Sequence, residues 1–360
     1  MTRFMAADSA RTDWVGLLAG NARQGATSGD REGNPVPVRR TAPDDVMWKV
    51  ALPDAVRSSP VLAAGVLYVT TRSGELYALD ARTGRTRWTY MAPAPLHATP
   101  AISGDLILFG CDDGRLYAVE RTAGTLKWTC ATDGPIWASA ATRGDSVFVG
   151  STGGHFLAAD ISDGAVRWTR QFGAQVHSTP HVGERLLYVG SSDGQVHAID
   201  HATGKDAWVH HAGDSVSASP AVSDGLVIVG SEDHHVYALD AETGAVRWTV
   251  ETGLGVSGSA AIHAGTAFVG SKDGHLHALS VADGRERWRS PSVRQITAAP
   301  VAGDGVVCIQ GFWGSTIAYD PATGVVLWRA NLGGSLQSTP ILTEDVVYLA
   351  TYTGVVYALR

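Results

Sequence analysis

A tryptophan recurs every 40 residues along most of this 360-residue chain: Trp48, Trp88, Trp128, Trp168, Trp208, Trp248, Trp288 and Trp328. No insertion or deletion breaks the interval, so each copy stands at the same place in one repeated unit. A fixed period of this length is made by a propeller blade or by a helical repeat. The apolar pattern chooses between them. Within residues 65–88, GVLYVTTRSGELYALDARTGRTRW, Val66-Leu67-Tyr68-Val69 and Leu76-Tyr77-Ala78-Leu79 are short β-branched or aromatic runs bounded by glycine turns. They carry no stripe of period 3.6, so they read as strands. The expected fold is all-β, each repeat a four-stranded antiparallel blade.

The two ends of the chain complete each other. Met47-Trp48-Lys49-Val50 matches the last strand of a blade but lacks the first three strands before it. After Trp328, the Ser338-Thr339-Pro340 turn, Val346-Val347-Tyr348-Leu349 and Val355-Val356-Tyr357-Ala358-Leu359 supply those three. Seven complete blades and one composite give an eight-bladed β-propeller over residues 46–360, closed by pairing an N-terminal strand with the C-terminal blade. Residues 1–45 lie outside the repeat and read as an N-terminal extension, with Ser28 to Arg40 a polar linker or strap.

Lys and Arg number 28 against 35 Asp and Glu, a mildly acidic balance that argues against a phosphate-tracking surface, so no nucleic-acid partner is expected. No apolar run is long enough to span a membrane, and the first 20 residues lack the apolar stretch of a secretion signal. The three cysteines, Cys111, Cys130 and Cys308, fall at unrelated blade positions and suit a reducing compartment. A cytoplasmic location is expected.

The repeat, Ser-x-Pro followed by Val-Tyr-Val-Gly-Ser-x-Asp-Gly-x-Leu-Tyr-Ala-Leu-Asp-Ala-x-Thr-Gly-x-x-x-Trp, resembles the PQQ-type β-propeller repeat over residues 47–360. The Asp13-Trp14 opening is similar to the leader of many such proteins. The resemblance implies the fold. It leaves function open, since the family includes quinoprotein dehydrogenases, a periplasmic outer-membrane assembly lipoprotein and sensor-like modules of bacterial kinases. Those dehydrogenases carry adjacent cysteines forming a vicinal disulfide, and Glu, Asn and Asp ligands for calcium beside the quinone. This chain has no Cys-Cys pair, and no acidic group is expected at the pocket positions. No cofactor and no metal are expected, and PQQ-dependent oxidation is the least favoured reading.

Most repeated residues are structural. The tryptophans are spaced as packing between blades requires. Asp-Gly at 113–114, 193–194 and 273–274 marks hairpin turns. Asp80, Glu120, Asp160, Asp200, Asp240 and Asp320 precede the next turn and are expected to cap it. His234, with His235, replaces a turn glycine and should take positive φ; with His210 and His211 it lacks a ligand spacing. His197 and His277 replace a strand-C Tyr and should be half-buried. Cys308 should be an inert buried thiol.

Exceptions to the repeat point to function. The residue just before each first strand is Arg57, His97, Trp137, His177, Ser217, Ser257, Thr297 and Gln337 around the ring. Four adjacent blades present large ionisable or aromatic groups where three others present a small hydroxyl. The loop between the second and third strands should open on the same face. It usually begins Gly-Ser, but reads Thr70-Thr71-Arg72, Cys111-Asp112, Gln310-Gly311-Phe312-Trp313 and Ala350-Thr351-Tyr352 in blades 1, 2, 7 and 8. Free drift of exposed loops favours small polar residues, so this arc is a candidate pocket.

The chemistry of the arc suits a small organic ligand. His97 and His177 titrate near neutrality and could serve as acid and base, and Arg57 could hold a carboxylate or enolate. Trp137, Phe312, Trp313 and Tyr352 could enclose an apolar body, with Gln337, Arg72 and Gln310 as polar contacts. A cofactor-independent cyclisation, isomerisation or elimination would need nothing more. A non-catalytic scaffold or sensor whose aromatic arc receives a protein partner is the alternative.

Overall fold

In the computed structural model, residues 45–291, 293, 295–311, 315–331 and 338–360 are described, with backbone alone at Gly311. Thirty-two strands among them form eight four-stranded antiparallel sheets. In blade 1 the strands, A to D in order, are Val61–Ala63, Val66–Thr70, Glu75–Asp80 and Thr86–Met91. Six further blades repeat this up-and-down order. The eighth takes Val46–Ala51 as its outer strand against Val355–Leu359, with Trp48 opposite Ala358. Asp45 and Arg360 extend the pairing through reciprocal backbone bonds of 2.9 and 2.8 Å. No blade edge is left at the seam.

The period of the tryptophans has a direct cause. Seven of the eight indoles donate from Nε1 to a backbone carbonyl 33 residues on, in the turn between strands C and D of the next blade. Trp48 reaches Ala81, Trp88 reaches Arg121 and Trp248 reaches Val281, at 2.9, 3.1 and 2.8 Å. Trp128, Trp168, Trp208 and Trp288 do the same. The ring rests on the Gly of the Thr-Gly or equivalent turn: a Cβ at Gly124 would lie 2.5 Å from Trp88 Cε3, and its φ is +70°. Indole and glycine are thus selected together. In blade 7 Trp328 Nε1 is buried without a partner among the described residues.

A second series links the inner strands of neighbouring blades. The Ser59 amide donates to Thr99 Oγ1, Thr179 to Ser219 Oγ, Ser219 to Ser259 Oγ and Thr339 to Ser59 Oγ, at 2.8–3.0 Å. The last of these crosses from blade 8 to blade 1. Blades 1, 4, 5 and 8 therefore each borrow a hydroxyl from a neighbour to satisfy an inner amide.

Other turn expectations hold. Gly114, Gly194 and Gly274 have positive φ, and His234 stands at +72°. Asp80, Asp200, Asp240 and Asp320 each accept the amide of the Thr three residues on, at 2.9–3.0 Å. His197 and His277 are buried outright, at 6% and 3% exposure, rather than half-buried. Each has a carboxylate nine residues on: His197 Nδ1 lies 3.2 Å from Asp206 and His277 Nδ1 2.8 Å from Glu286. Cys308 is fully buried, which pushes its thiol far above the usual range.

Candidate functional site

Backbone bonds bring the two variable positions onto one face. The Arg72 amide donates to Ala55 O at 3.0 Å, and the same bond recurs from Asp112 to Pro95, Thr152 to Pro135 and Glu232 to Ser215. The loop between strands B and C thus lies against the segment approaching strand A of its own blade. It also meets the next blade, because the Leu96 amide donates to Thr71 O and the Ile136 amide to Cys111 O, both at 3.1 Å. A residue on one such loop therefore faces the pre-A residues of two blades.

Asp112 uses both. Its Oδ2 lies 3.2 Å from His97 Nε2 in its own blade, and its Oδ1 accepts from Trp137 Nε1 of the next blade at 2.8 Å. The expectation that no acidic group stands at the pocket positions is therefore corrected: Asp112 lies at the centre of the arc. Trp137 remains 40% exposed and is flanked by two imidazoles, with His97 and His177 ring centroids each 5.4 Å away. His177 Nε2 lies 2.7 Å from Gln175 Oε1.

His97 is held in one role. Burial outweighs the opposing pull of Asp112, and with the positive charges of Arg57 and Arg72 keeps the imidazole below its usual range. The neutral ring donates from Nε2 to Asp112, and its buried Nδ1 has no partner among the described residues. It positions Asp112 and Trp137 and has no ring nitrogen turned to solvent.

The other end of the arc spans the seam of the ring. Arg57 Nη2 and Arg72 Nη1, of blade 1, approach Tyr352 Oη of blade 8 at 3.5 and 3.3 Å. The Arg57 guanidinium also sits 5.5 Å from the centroid of that ring, a cation–π distance. Hydrogen bonding to Arg57, its charge and that of Arg72 pull the half-buried Tyr352 phenol below its usual range. Eight other tyrosines are pushed the opposite way, burial being the largest cause for each.

The structure thus brings together Arg57, Arg72 and Tyr352, and separately His97, Trp137 and His177. Arg57 and Arg72 lie near enough to His97 to shift it. Gln310 is not part of this set. It is 2% exposed within strand Val306–Gly311, opposite Thr316, and among the described residues both its amide atoms lack partners. Phe312, Trp313 and Gln337 lie outside the described residues. Sequence reasoning noted Asp112 as an exception but gave it no role, and passed over Glu232 and Lys272. These last two occupy the loop position of Arg72 in blades 5 and 6 and pair at 2.6 Å.

The quinone cofactor of the PQQ-type fold does not fit these residues. All three cysteines are separate, buried and free, and among the described residues no three His, Cys, Asp or Glu side chains converge as a metal site.

Comparison with solved structures shows the fold widely. BamB from Moraxella catarrhalis superposes with a TM-score of 0.77 at 21% identity, covering 88% of this chain and 99% of its own. The computationally designed Ika8 protein gives 0.76 at 16% identity, over 90% and 100% of the two chains. Quinohemoprotein alcohol dehydrogenase from Comamonas testosteroni gives 0.78 at 15% identity, over 98% and 81%. No curated protein matches. The family described as "Outer membrane protein assembly factor BamB" matches over residues 37–175, 132–216 and 176–360, and the chain belongs to that PQQ-type propeller family.

Proposed function

We propose that this propeller binds a small organic ligand on the face that carries Tyr352, Arg57, Arg72, His97, Asp112, Trp137 and His177. The observation that carries this reading is the exposed Trp137 ring, fixed by Asp112 and bordered by imidazoles, beside two arginines that meet on a phenol. A rigid aromatic platform next to convergent polar groups is how small-molecule sites are built. On the far side of the same ring, positions 217 and 257 are serines.

If the site is catalytic without a cofactor, the proton-transferring groups are His177 and Tyr352, since both nitrogens of His97 are committed or enclosed. A protein partner on the same face is the second reading, favoured by kinship with a family described by an assembly factor. The test is a thermal-shift survey of small metabolites against wild type, Trp137→Ala, Ser217→Ala and Ser257→Ala. A stabilising compound should lose its effect in Trp137→Ala and keep it in the serine variants. Equal loss in all three variants would rule the arc out.

A further inference from the structure

We propose that the junction of blades 8 and 1 is an oxyanion seat, and that the ligand of this face is an aryl carboxylate or aryl phosphate. Arg57 and Arg72 are its cations and the Tyr352 hydroxyl its third donor. This rests on the top-face reading above and adds the charge and shape of the ligand.

Two guanidiniums meet on one hydroxyl oxygen, at 3.5 and 3.3 Å. Each brings several N–H donors and a full positive charge, and a phenol can accept only a small part of that capacity. Among the described residues neither has a carboxylate partner. Arg87, Arg167, Arg170 and Arg247 of the same molecule each have one at 2.7 Å. Like charges drawn to one point are costly until a negative group joins them. Asp112, the acid of the arc, does not fill that place, because His97 and Trp137 take both its oxygens.

Blades 5 and 6 show the closed version of the same position. There Glu232 sits on the loop equivalent to that of Arg72, and both its oxygens bind Lys272 Nζ, at 2.6 and 2.7 Å. A Cβ at Gly255 would lie 2.1 Å from Glu232 Oε2, so the missing side chain makes room for the pair. One side of the face satisfies its charge internally; the Arg57–Arg72 side leaves two cations open on a chain of net charge −7. Such a local reversal draws anions to that corner.

The aryl body follows from Trp137. Its indole is exposed, held by the bond to Asp112, and offers a flat apolar surface at fixed orientation. An oxyanion on the arginines with an aromatic ring toward Trp137 uses both ends of the arc.

Isothermal titration calorimetry on the full chain with phenyl phosphate, benzoate, inorganic phosphate and neutral benzamide tests this. Arg57→Met, Arg72→Met, Tyr352→Phe and Trp137→Ala are compared with wild type, after each is shown to melt normally. Phenyl phosphate or benzoate should bind, and which is tighter identifies the phosphate or carboxylate source. Each arginine change should weaken that binding about tenfold, the scale of one charge-assisted hydrogen bond. Trp137→Ala should weaken the aryl anions and leave inorganic phosphate unchanged. Ultraviolet titration of the Tyr352 phenol, read as wild type minus Tyr352→Phe, should move to higher pH when the anion is bound. If benzamide binds through Trp137 while the anions gain nothing from the arginines, the oxyanion seat is overturned and the top-face reading survives. If Tyr352 is already ionised at neutral pH, the seat is filled by the phenolate and the proposal fails. If no probe responds to any variant, both fall.

Discussion

The two halves of the top face share one backbone and differ in how they treat charge. On blades 5 and 6 the variable positions hold Ser217, Ser257 and the Glu232–Lys272 pair, whose charges meet each other. On blades 8, 1, 2 and 3 the same positions hold Tyr352, Arg57, Arg72, His97, Asp112 and Trp137. There the arginines converge on a phenol, the acid turns to an indole, and a large ring stays in water. Since the scaffold beneath is the same, the difference belongs to the side chains alone. A ring that needed only to stand would have no use for it.

Packing should ignore this asymmetry, and that is the strongest way to break the comparison. Trp88→Ala, under the charged half, and Trp248→Ala, under the plain half, should each cost about 3–5 kcal/mol of stability. Chemical denaturation of both variants checks this; a large cost on one side only would mean the halves differ in their scaffold.

The next effect should be confined to one half. Asp112→Asn keeps the shape but sets an amide where two donors now meet a carboxylate, so one bond is lost. Stability should fall by about 1 kcal/mol, and Trp137 fluorescence should change as the ring loosens. Unchanged emission would show that Asp112 does not fix the indole.

A third contrast is titratable. Burial pushes Asp206 up, but bonds to His197 and Arg170 overcome it and hold the carboxyl at about 2, below its unfolded value. A depressed carboxylate stabilises the fold above its unfolded pKa and loses that contribution as pH falls toward the folded value. Between roughly pH 4 and 2 the melting temperature of wild type should therefore fall more steeply than that of Asp206→Asn. Parallel curves would remove Asp206 from the acid response. The smallest effect is expected at Ser217→Ala and Ser257→Ala, within about 0.5 kcal/mol of wild type.

Much of the scaffold was readable from the sequence because each repeat reports on the others. Seven equal intervals between eight tryptophans mark the blades, and the stranded Trp48 motif marks the seam. The His–carboxylate pairs were readable too, yet missed. Where strand C holds His197 or His277, the residue nine further on is Asp206 or Glu286; beside a Tyr, Leu or Ile it is Thr, Leu or Val. Comparing columns of the repeat two at a time would have found them. The role of Asp112 was harder to see, because a repeat alignment ranks blades side by side. It does not reveal that a loop of one blade lies under the strand approach of the next, as the Ile136 to Cys111 bond does. Gln310 shows a related point. Its column is glycine in five blades, and the large side chain that replaces glycine there is buried.

The seam gives the site an order of assembly. Arg57 and Tyr352 are 295 residues apart in sequence and meet only because the outer strand of blade 8 comes from the other end of the chain. Contacts between such distant segments carry the largest loop-closure cost and tend to form late. Blades 2 to 6 can gather from neighbours already in hand, but the corner holding both arginines must wait for the last strand to dock. The same dependence runs backward during opening. A ring that loosens at its closing strand gives up this corner while most of its blades still stand.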